Sequence, residues 1–367
     1  MKLERVIISG GGTGGHIFPA LAVAKEISTR YPEADILFVG ATGRMEMEKV
    51  PAAGYEIIGL PVTGFPRKPG VKLFSFAVNL LKSNRKAREI VARFKPQVAI
   101  GVGGFASGPL LRAAARKGIP TLIQEQNSYA GITNKLLGKK ARTICVAYDK
   151  MDRYFPREKI VLTGNPVRES LTRKLDDKEE AGAFFGIKAN QKVILIIGGS
   201  LGARSINEAV LHNIPAIAGS GVQVIWQTGS IYYRDILEKM EGKVPENLHI
   251  HEFLSRMDLA YALADAVISR AGAGTISELC LVEKPVILIP SPNVAEDHQT
   301  RNAMALVEKN AAVMVRDNEI CEKLFPAALG LIRDQKRCAE LSRNIGKLAK
   351  PAATRHIVNE TEKLINA

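Results

Sequence analysis

A chain of 367 residues is too long for one ordinary core and predicts two domains, and its 46% apolar and 24% charged residues exclude a disordered or fibrous class. The formal charge of +14 is unevenly placed: Met1 to Asn165 holds 26 Lys and Arg against 12 Asp and Glu, whereas the remainder holds 25 of each. That asymmetry argues against a nucleic-acid footprint over the whole chain and predicts an N-terminal half that meets an acidic surface or substrate.

The opening "MKLERVIISGGG" enters an apolar strand directly, without the basic, apolar and small-residue regions of a secretory signal. Strand-like runs follow in "RVIISGGG", "DILFVGA", "VAIGVGG", "PTLIQEQ", "TICVAY" and "KIVLTGN". After Gly164-Asn165-Pro166 a second series begins with "KVILIIGGS", "VQVIWQTG", "LHIHEF", "AVISRAG", "PVILIPSP" and "AAVMV". Short Val/Ile runs separated by helical periodicity are the mark of strands buried on both faces of a parallel sheet. The prediction is therefore an α/β chain of two tandem Rossmann-like domains, residues 1–164 and 165–349, with residues 350–367 forming one more helix that packs back on the first domain. The default ligand site of such a pair is the interdomain cleft, where the C-terminal strand ends point. Uncharged stretches such as "PQVAIGVGGFASGPLL" are broken by Gly and Pro and fall short of the roughly 20 apolar residues of a spanning helix. Cys145, Cys280, Cys321 and Cys338 have no CxxC spacing and read as reduced, buried thiols of a cytoplasmic protein.

Glycine-rich turns follow three of these strands: "SGGGTGGH", "GVGGFASGP" and "GGSLGARS". Glycine permits tight turns and close backbone approach, and the next helix offers unpaired N–H groups, so such turns suit phosphates. The first contains Gly10-x-Gly12-x-x-Gly15, the dinucleotide fingerprint, yet the second strand ends in Gly40-Ala41 and carries Asp35 at its wrong end. The acid expected there for a ribose diol is missing, which argues against NAD chemistry. No P-loop, HExxH or Asp-x-Asp pattern occurs. His249 and His251 share a strand face without further ligands and read as structural. No metal site and no cofactor are predicted.

Seven segments, "GGTGGHIFPALAVA", "GVGGFASGP", "EQNSYAGITNK", "TGNPVR", "GGSLGARSIN", "RAGAGTISEL" and "EDHQTRNA", resemble in order and spacing the MurG family of peptidoglycan N-acetylglucosaminyltransferases. The resemblance spans nearly the whole chain. It implies a GT-B fold and metal-independent, inverting transfer of GlcNAc from UDP-GlcNAc to undecaprenyl-diphosphate-linked muramyl-pentapeptide (lipid I), giving lipid II. It further implies a peripheral protein on the cytoplasmic face of the inner membrane, with candidate partners among cell-wall synthesis proteins.

Inverting transfer requires a base for the acceptor hydroxyl and stabilisation of the departing UDP. His16, at the first helix N-terminus, is expected to stay neutral because the positive helix end disfavours imidazolium. It suits a general base or an acceptor-diphosphate contact, and Glu125 is the other candidate base. Gly12, His16, Gly103, Gly104 and Ser107 would meet the acceptor diphosphate. Thr13, Gly14, Gly15 and Asn127 would reach the donor from the first domain. In the second, Arg168 and Ser200 would hold the leaving diphosphate, their alternatives being a surface charge and an N-cap. Glu278 would accept the ribose hydroxyls, although Thr275-x-x-Glu278 also reads as a capping box. Gln299 and Asn302 would read the sugar hydroxyls, and uracil would meet backbone near Phe253 and Leu254. The chain departs from the family at Gln124, where His is more common, at Phe105, at "RAGAGT" and at His298.

The window Pro66 to Lys95 holds nine basic residues and Glu89 as its one acid. Leu73, Ala77, Leu80, Ile90 and Phe94 can form a core-facing stripe. That leaves Phe74, Val78 and Leu81 with Lys82, Arg85, Lys86 and Arg88 on other faces, a patch suited to anionic lipid. A UDP-GlcNAc 2-epimerase shares the architecture and the donor but would need neither the basic half nor this window.

Overall fold

The computed structural model describes residues 2–64, 71–167, 171, 178–199 and 201–366, which form two compact units, Met1–Val167 with Ala352–Ala367 and Arg168–Pro351. In the first unit the order is β1 (Arg5–Ser9), α1 (Gly14–Arg30), β2 (Asp35–Ala41), α2 (Glu46–Ala52), β3 (Glu56–Leu60), α3 (Val71–Phe94), β4 (Val98–Gly101), α4 (Ser107–Arg116), β5 (Thr121–Glu125), α5 (Ile132–Gly138), β6 (Thr143–Val146) and β7 (Ile160–Leu162). The second runs α6 (Lys178–Phe185), β8 (Val193–Ile197), α7 (Arg204–His212), α8 (Ile214–Ala218), β9 (Gln223–Gln227), α9 (Tyr233–Met240), β10 (Leu248–His251), α10 (Met257–Leu263), β11 (Ala266–Arg270), α11 (Ala273–Val282), β12 (Val286–Ile289), α12 (His298–Val307), β13 (Val313–Met314), α13 (Ile320–Arg333) and α14 (Gln335–Gly346). The final helix, α15 (Ala353–Asn366), contributes Ile357, Val358 and Ile365 to the first unit's core beside α1, and Arg30 of α1 pairs Glu362 at 3.0 Å.

Both sheets are parallel among the described residues, in the orders β3-β2-β1-β4-β5-β6-β7 and β10-β9-β8-β11-β12-β13. The Val/Ile runs form these strands because both faces are covered, and their two-residue period divides each strand between two cores. In β1, Val6 and Ile8 enter the layer with α1 and α15, while Ile7 enters the layer with α3 and α4.

The strand that sequence periodicity does not disclose is β3. It lies at the sheet edge, and most of its residues are only half-buried, so its burial is too weak to impose a long β-branched run. The stripe expected on α3 also needs correction. None of the described residues from Leu73 to Lys82 is buried, and Leu73 and Ala77 are exposed, whereas Ser83, Ala87, Ile90 and Val91 face the core. At about 1.5 Å per residue, α3 is more than twice as long as α4, beside which it packs.

Cys145 and Cys280 are buried, and burial pushes both thiols up, Cys280 to about 12. Cys321 is exposed, contrary to the expectation for all four, and the Cys338 thiol donates to the Leu331 carbonyl at 3.1 Å. Among the described residues no helix is long and apolar enough to cross a membrane.

Lys284, just before β12, donates to the Ala262 carbonyl at 3.3 Å, and burial, reinforced by nearby Lys178, pulls its ammonium from the usual 10.5 down to about 8. The unfolded chain therefore binds more protons between about 8 and 10.5, and stability contributed by this site rises with pH across that window. Lys284→Met is expected to stabilise the protein at pH 7 by about 1–2 kcal/mol, discounting for partial exposure, and by progressively less as pH approaches 10.5. Thermal melts of both proteins across that range check it.

Candidate functional site

Strand order reverses between β1 and β4 in the first unit and between β8 and β11 in the second, and ligands of open α/β sheets bind at such switch points. Two of the glycine turns flank the first switch point and the third follows β8 at the other.

In the first unit the two turns interlock. Gly12, Gly103 and Gly104 have φ of +85°, +102° and +87°, and a Cβ on Gly104 would stand 2.4 Å from the Gly11 carbonyl. His16 is the third residue of α1, behind the extended N-cap Thr13, and its ring lies against Gly103, whose Cβ would come within 2.7 Å of it. Its Nδ1 is 3.0 Å from the Gly11 carbonyl oxygen and 3.4 Å from the Thr13 hydroxyl. A carbonyl can only accept, so Nδ1 carries the proton, and whenever the ring is neutral its lone pair lies on Nε2. The N–H groups of Gly14 and Gly15 at the start of α1, and of Gly103 and Gly104, have no hydrogen-bond partner among the described residues. A diphosphate could use all four.

Two expectations need correction here. The Gly12 N–H donates to the Glu46 carboxylate at 2.9 Å, so it is not offered to a diphosphate while that bond holds. Ser107 is fully buried, and its hydroxyl donates toward the carbonyls of Gly103 at 2.8 Å and Ser9 at 3.0 Å, tying the second turn to the end of β1. Glu46 itself was not legible as a site residue. It begins α2, yet its fully buried carboxylate returns to the end of β2, accepts from the Ala41 N–H at 2.9 Å, and fills the corner beside Gly11 and Gly40. The corner where a dinucleotide enzyme keeps its ribose acid thus holds a carboxylate turned inward onto backbone. The signal was present as glycines at 11 and 40, both required because a Cβ would strike Glu46.

Glu125 ends β5 at 2% exposure and accepts four hydrogen bonds. Asn127 N and Nδ2 donate to Oε1 at 3.1 and 3.3 Å, and Gly131 N and Asn134 Nδ2 donate to Oε2 at 3.1 and 2.8 Å. With about four lone-pair sites all engaged, this carboxylate has none left for a substrate proton. Its place is that of an anchor for the loop after β5, which corrects its candidacy as base. Asn127 remains half-buried on that loop, held by Glu125. Beside it Gln124, Gln126 and Asn165 form a buried amide network, with Gln124 donating to Asn165 at 2.9 Å, Asn165 to the Gln126 carbonyl at 3.0 Å, and Gln126 to the Val102 carbonyl at 2.7 Å.

In the second unit the turn after β8 has Gly199 and Gly202 at φ +87° and +85°, and a Cβ on Gly202 would lie 2.1 Å from the Thr228 carbonyl. Gln227, another residue not foreseen, donates to the Gly199 carbonyl at 2.9 Å and accepts from the Leu254 N–H at 3.2 Å. It joins the glycine turn to the Phe253-Leu254 segment, in which Leu254 is buried and Phe253 is 55% exposed. Ser200 and Arg168 lie outside the described residues.

The N-cap of α11 is Gly272, which puts Thr275 and Glu278 inside the helix and excludes the capping box. Glu278 is half-buried, and Tyr261 donates to it at 3.4 Å. Arg270 binds the Asp317 carboxylate and the Ser205 hydroxyl and reaches the Ile289 carbonyl at 3.2 Å, so it braces the ends of β11 and β12. The Gln299 carbonyl accepts from the Ser291 N–H at 2.9 Å. Asn302 is fully buried, with its amide 3.4 Å from the Ala271 carbonyl. As folded it cannot reach a sugar, which corrects its assignment. Glu296 and Asp297, ahead of α12, hold positive φ of 57° and 50°, strain of a kind that collects in ligand loops. His249 bonds Gln223 at 2.9 Å and His251 packs edge-on to Phe185; burial holds both imidazoles below the usual range.

Residues 6–146 match the glycosyltransferase family 28 N-terminal domain, and residues 193–357 match the glycosyltransferase family 28 C-terminal domain. The chain belongs to glycosyltransferase family 28. A family relative from Parabacteroides distasonis, named UDP-N-acetylglucosamine–N-acetylmuramyl-(pentapeptide) pyrophosphoryl-undecaprenol N-acetylglucosamine transferase, is 56% identical over 366 residues, covering 100% of each chain. One of the same name from Bacteroides thetaiotaomicron is 55% identical over 369 residues, covering 100% of this chain and 99% of its own. Among solved structures, Acinetobacter baumannii MurG superposes with a TM-score of 0.78 at 27% identity, covering 98% of this chain and 99% of that one. The UDP-GlcNAc 2-epimerase of Neisseria meningitidis, at 14% identity and a TM-score of 0.68 over 98% of this chain and 100% of its own, shares the fold. This family 28 chain is a GT-B glycosyltransferase.

The geometry separates Glu125 from His16 experimentally. Glu125→Gln turns an NH2 group toward donors, leaving at least one buried N–H unmatched, and is expected to lower stability by about 1–3 kcal/mol. Chemical denaturation should register that loss, whereas His16→Ala, on a half-buried ring, should change stability by less.

Proposed function

We propose that this chain transfers GlcNAc from UDP-GlcNAc to the C4 hydroxyl of lipid I with inversion, giving lipid II for peptidoglycan synthesis and so serving cell-wall growth, cell shape and division. The observation that carries the reading is His16, whose Nδ1 is committed to the Gly11 carbonyl and whose Nε2 stands against Gly103 at the switch point. Nε2 takes the proton of the C4 hydroxyl while its oxygen attacks the anomeric carbon. The bond from that carbon to the UDP oxygen breaks on the opposite side, and UDP leaves with the electron pair. Backbone N–H groups at Gly103 and Gly104 bind the acceptor diphosphate, with Thr13, Gly14 and Gly15 completing the donor side from the first unit. In the second unit the start of α7 with Ser200 and Arg168 receives the leaving diphosphate, Glu278 takes the ribose, Gln299 and Thr275 face the sugar, and the Phe253-Leu254 backbone meets uracil.

The acceptor is a lipid, and the first unit carries the means to meet it at the cytoplasmic face of the inner membrane. Phe74 and Leu81, 75% and 71% exposed, stand on the half of α3 that has no buried described residue, with Lys82 and Arg85 beside them. Lys86, expected in the same patch, instead donates to the Gly59 carbonyl at 2.8 Å.

Incubation with UDP-GlcNAc and a lipid I analogue is expected to yield the disaccharide product; UDP release without it, or conversion to UDP-ManNAc, overturns the reading. His16→Ala should lower kcat by about 10²- to 10⁴-fold with the fold intact. In flotation with anionic vesicles, Phe74→Ser with Leu81→Ser should abolish recovery in the lipid fraction. Lys82→Glu with Arg85→Glu should weaken binding more than about tenfold, each cation contributing about 1 kcal/mol near the surface.

A further inference from the structure

One peptide unit of the first glycine turn is held from both ends. The Gly11 carbonyl accepts from His16 Nδ1 at 3.0 Å, and the Gly12 N–H, the other end of the same planar amide, donates to Glu46 Oε2 at 2.9 Å. Oε1 of that carboxylate accepts from the Ala41 N–H at 2.9 Å. The peptide is trans, so its C=O and N–H point in opposite directions and its two partners stand on opposite sides. A carboxylate, one amide and an imidazole thus form an unbroken hydrogen-bonded line.

Simpler accounts of Glu46 fall short. Two backbone N–H groups need only acceptors, and a neutral side-chain oxygen accepts without the cost of burying a charge. Glu46 is fully buried and has no cation partner among the described residues, so no salt bridge there calls for the charge. Nor does anion binding, because a negative charge behind the turn opposes a diphosphate in front of it. Yet the corner is kept for this side chain, since a Cβ on Gly11 or Gly40 would strike it.

His16 supplies the reason. Its ring stands at the N-terminus of α1, whose positive end disfavours imidazolium and so weakens the ring as a base. A carboxylate bonded to an N–H polarises the amide, and the carbonyl of that amide becomes a stronger acceptor for Nδ1–H. The same carboxylate also attracts the charge of a protonated ring. In a Ser-His-Asp triad the carboxylate bonds the imidazole directly to fix its tautomer and stabilise its charged form; here a peptide lies between them. Both glycine turns, and α1 as far as Ala24, carry no charged side chain besides His16, and Arg44, Glu48 and Lys49 around Glu46 are exposed.

We propose that Glu46 is a positioning residue for His16: through the Gly11–Gly12 peptide its carboxylate holds the imidazole tautomer and stabilises the positive charge the ring takes up with the acceptor's proton. The catalytic consequence rests on the reading of His16 as the base, whereas the coupling between the two side chains does not.

The test follows the imidazole nitrogen resonances of His16 by NMR in the full-length protein as pH is varied, with His16→Ala assigning them. In Glu46→Gln the titration midpoint should fall by about half a unit or more, the scale of one nearby buried charge. Glu46→Asp keeps the charge but is one methylene short of the peptide, so its midpoint should fall by less; it decides alone if the amide is not accommodated. A midpoint unchanged in the folded variants overturns the proposal. In the transferase assay Glu46→Gln should lower kcat by about tenfold or more, with KM for UDP-GlcNAc little changed and the acidic limb of kcat moved to lower pH in step with the NMR midpoint. Lower kcat and a lower melting temperature with both midpoints in place would mark Glu46 as structural only and overturn the proposal. A moved NMR midpoint with the kcat limb in place removes His16 as the base, and the catalytic consequence with it, but leaves the coupling. A fixed NMR midpoint with activity lost in His16→Ala removes the Glu46 coupling alone.

Discussion

The close contact between the two glycine turns of the first unit governs what that half of the protein can do. With the Gly104 Cα packed so near the Gly11 carbonyl that a Cβ would come within 2.4 Å, neither turn can move without the other. The Gly11 carbonyl held in that contact is also the acceptor for His16 Nδ1, so the packing that orders the turns also sets the histidine tautomer. Ser107 ties the second turn to the end of β1, and Glu46 ties the first to the end of β2. Each polar group with a bracing task is buried. What remains toward solvent is the half-buried imidazole and backbone N–H groups, a surface suited to an anion.

The second unit solves the same problem with different side chains. A Cβ on Gly202 would meet the Thr228 carbonyl and one on Gly229 would meet the Gly202 N, so again two strand-end turns rest backbone on backbone. Gln227 takes the bracing part, binding a carbonyl on one turn and an N–H on the next segment with one amide. An amide can do both because it donates and accepts. The carboxylates in the first unit can only accept, and each of them gathers N–H groups alone.

Where burial is complete the sequence is legible. Strands β1, β4, β8 and β12 read as short apolar runs because both of their faces are covered. As an edge strand β3 needs only two isoleucines and a leucine, too few to show. The helix position of His16 was legible because a glycine turn precedes it directly. Glu46 was not, because it lies five positions beyond the strand end whose N–H it accepts, and only the fold brings it back. The engagement of Glu125 was hidden for the same reason: its donors come from a turn at Gly131 and from Asn134 of α5. At Glu278 a shift of three residues in the cap, from Thr275 to Gly272, removes the capping-box reading that the local pattern offered.

The charge asymmetry also takes physical form in the structure. Composition located the excess cations in the N-terminal half but could not say whether they were scattered over a solvated surface. Helix α3 resolves that by dividing its labour along its length. Its second half supplies Ala87, Ile90 and Val91 to the core and is held against α4, while its first half supplies no buried described residue. That half exposes the apolar side chains of Leu73, Phe74 and Leu81. Immediately below them, α4 adds Arg112 and Arg116 to the cations of α3. Leu81 belongs both to the exposed apolar side chains and to an arginine-lined concavity, so apolar exposure and converging charge meet on the same helix.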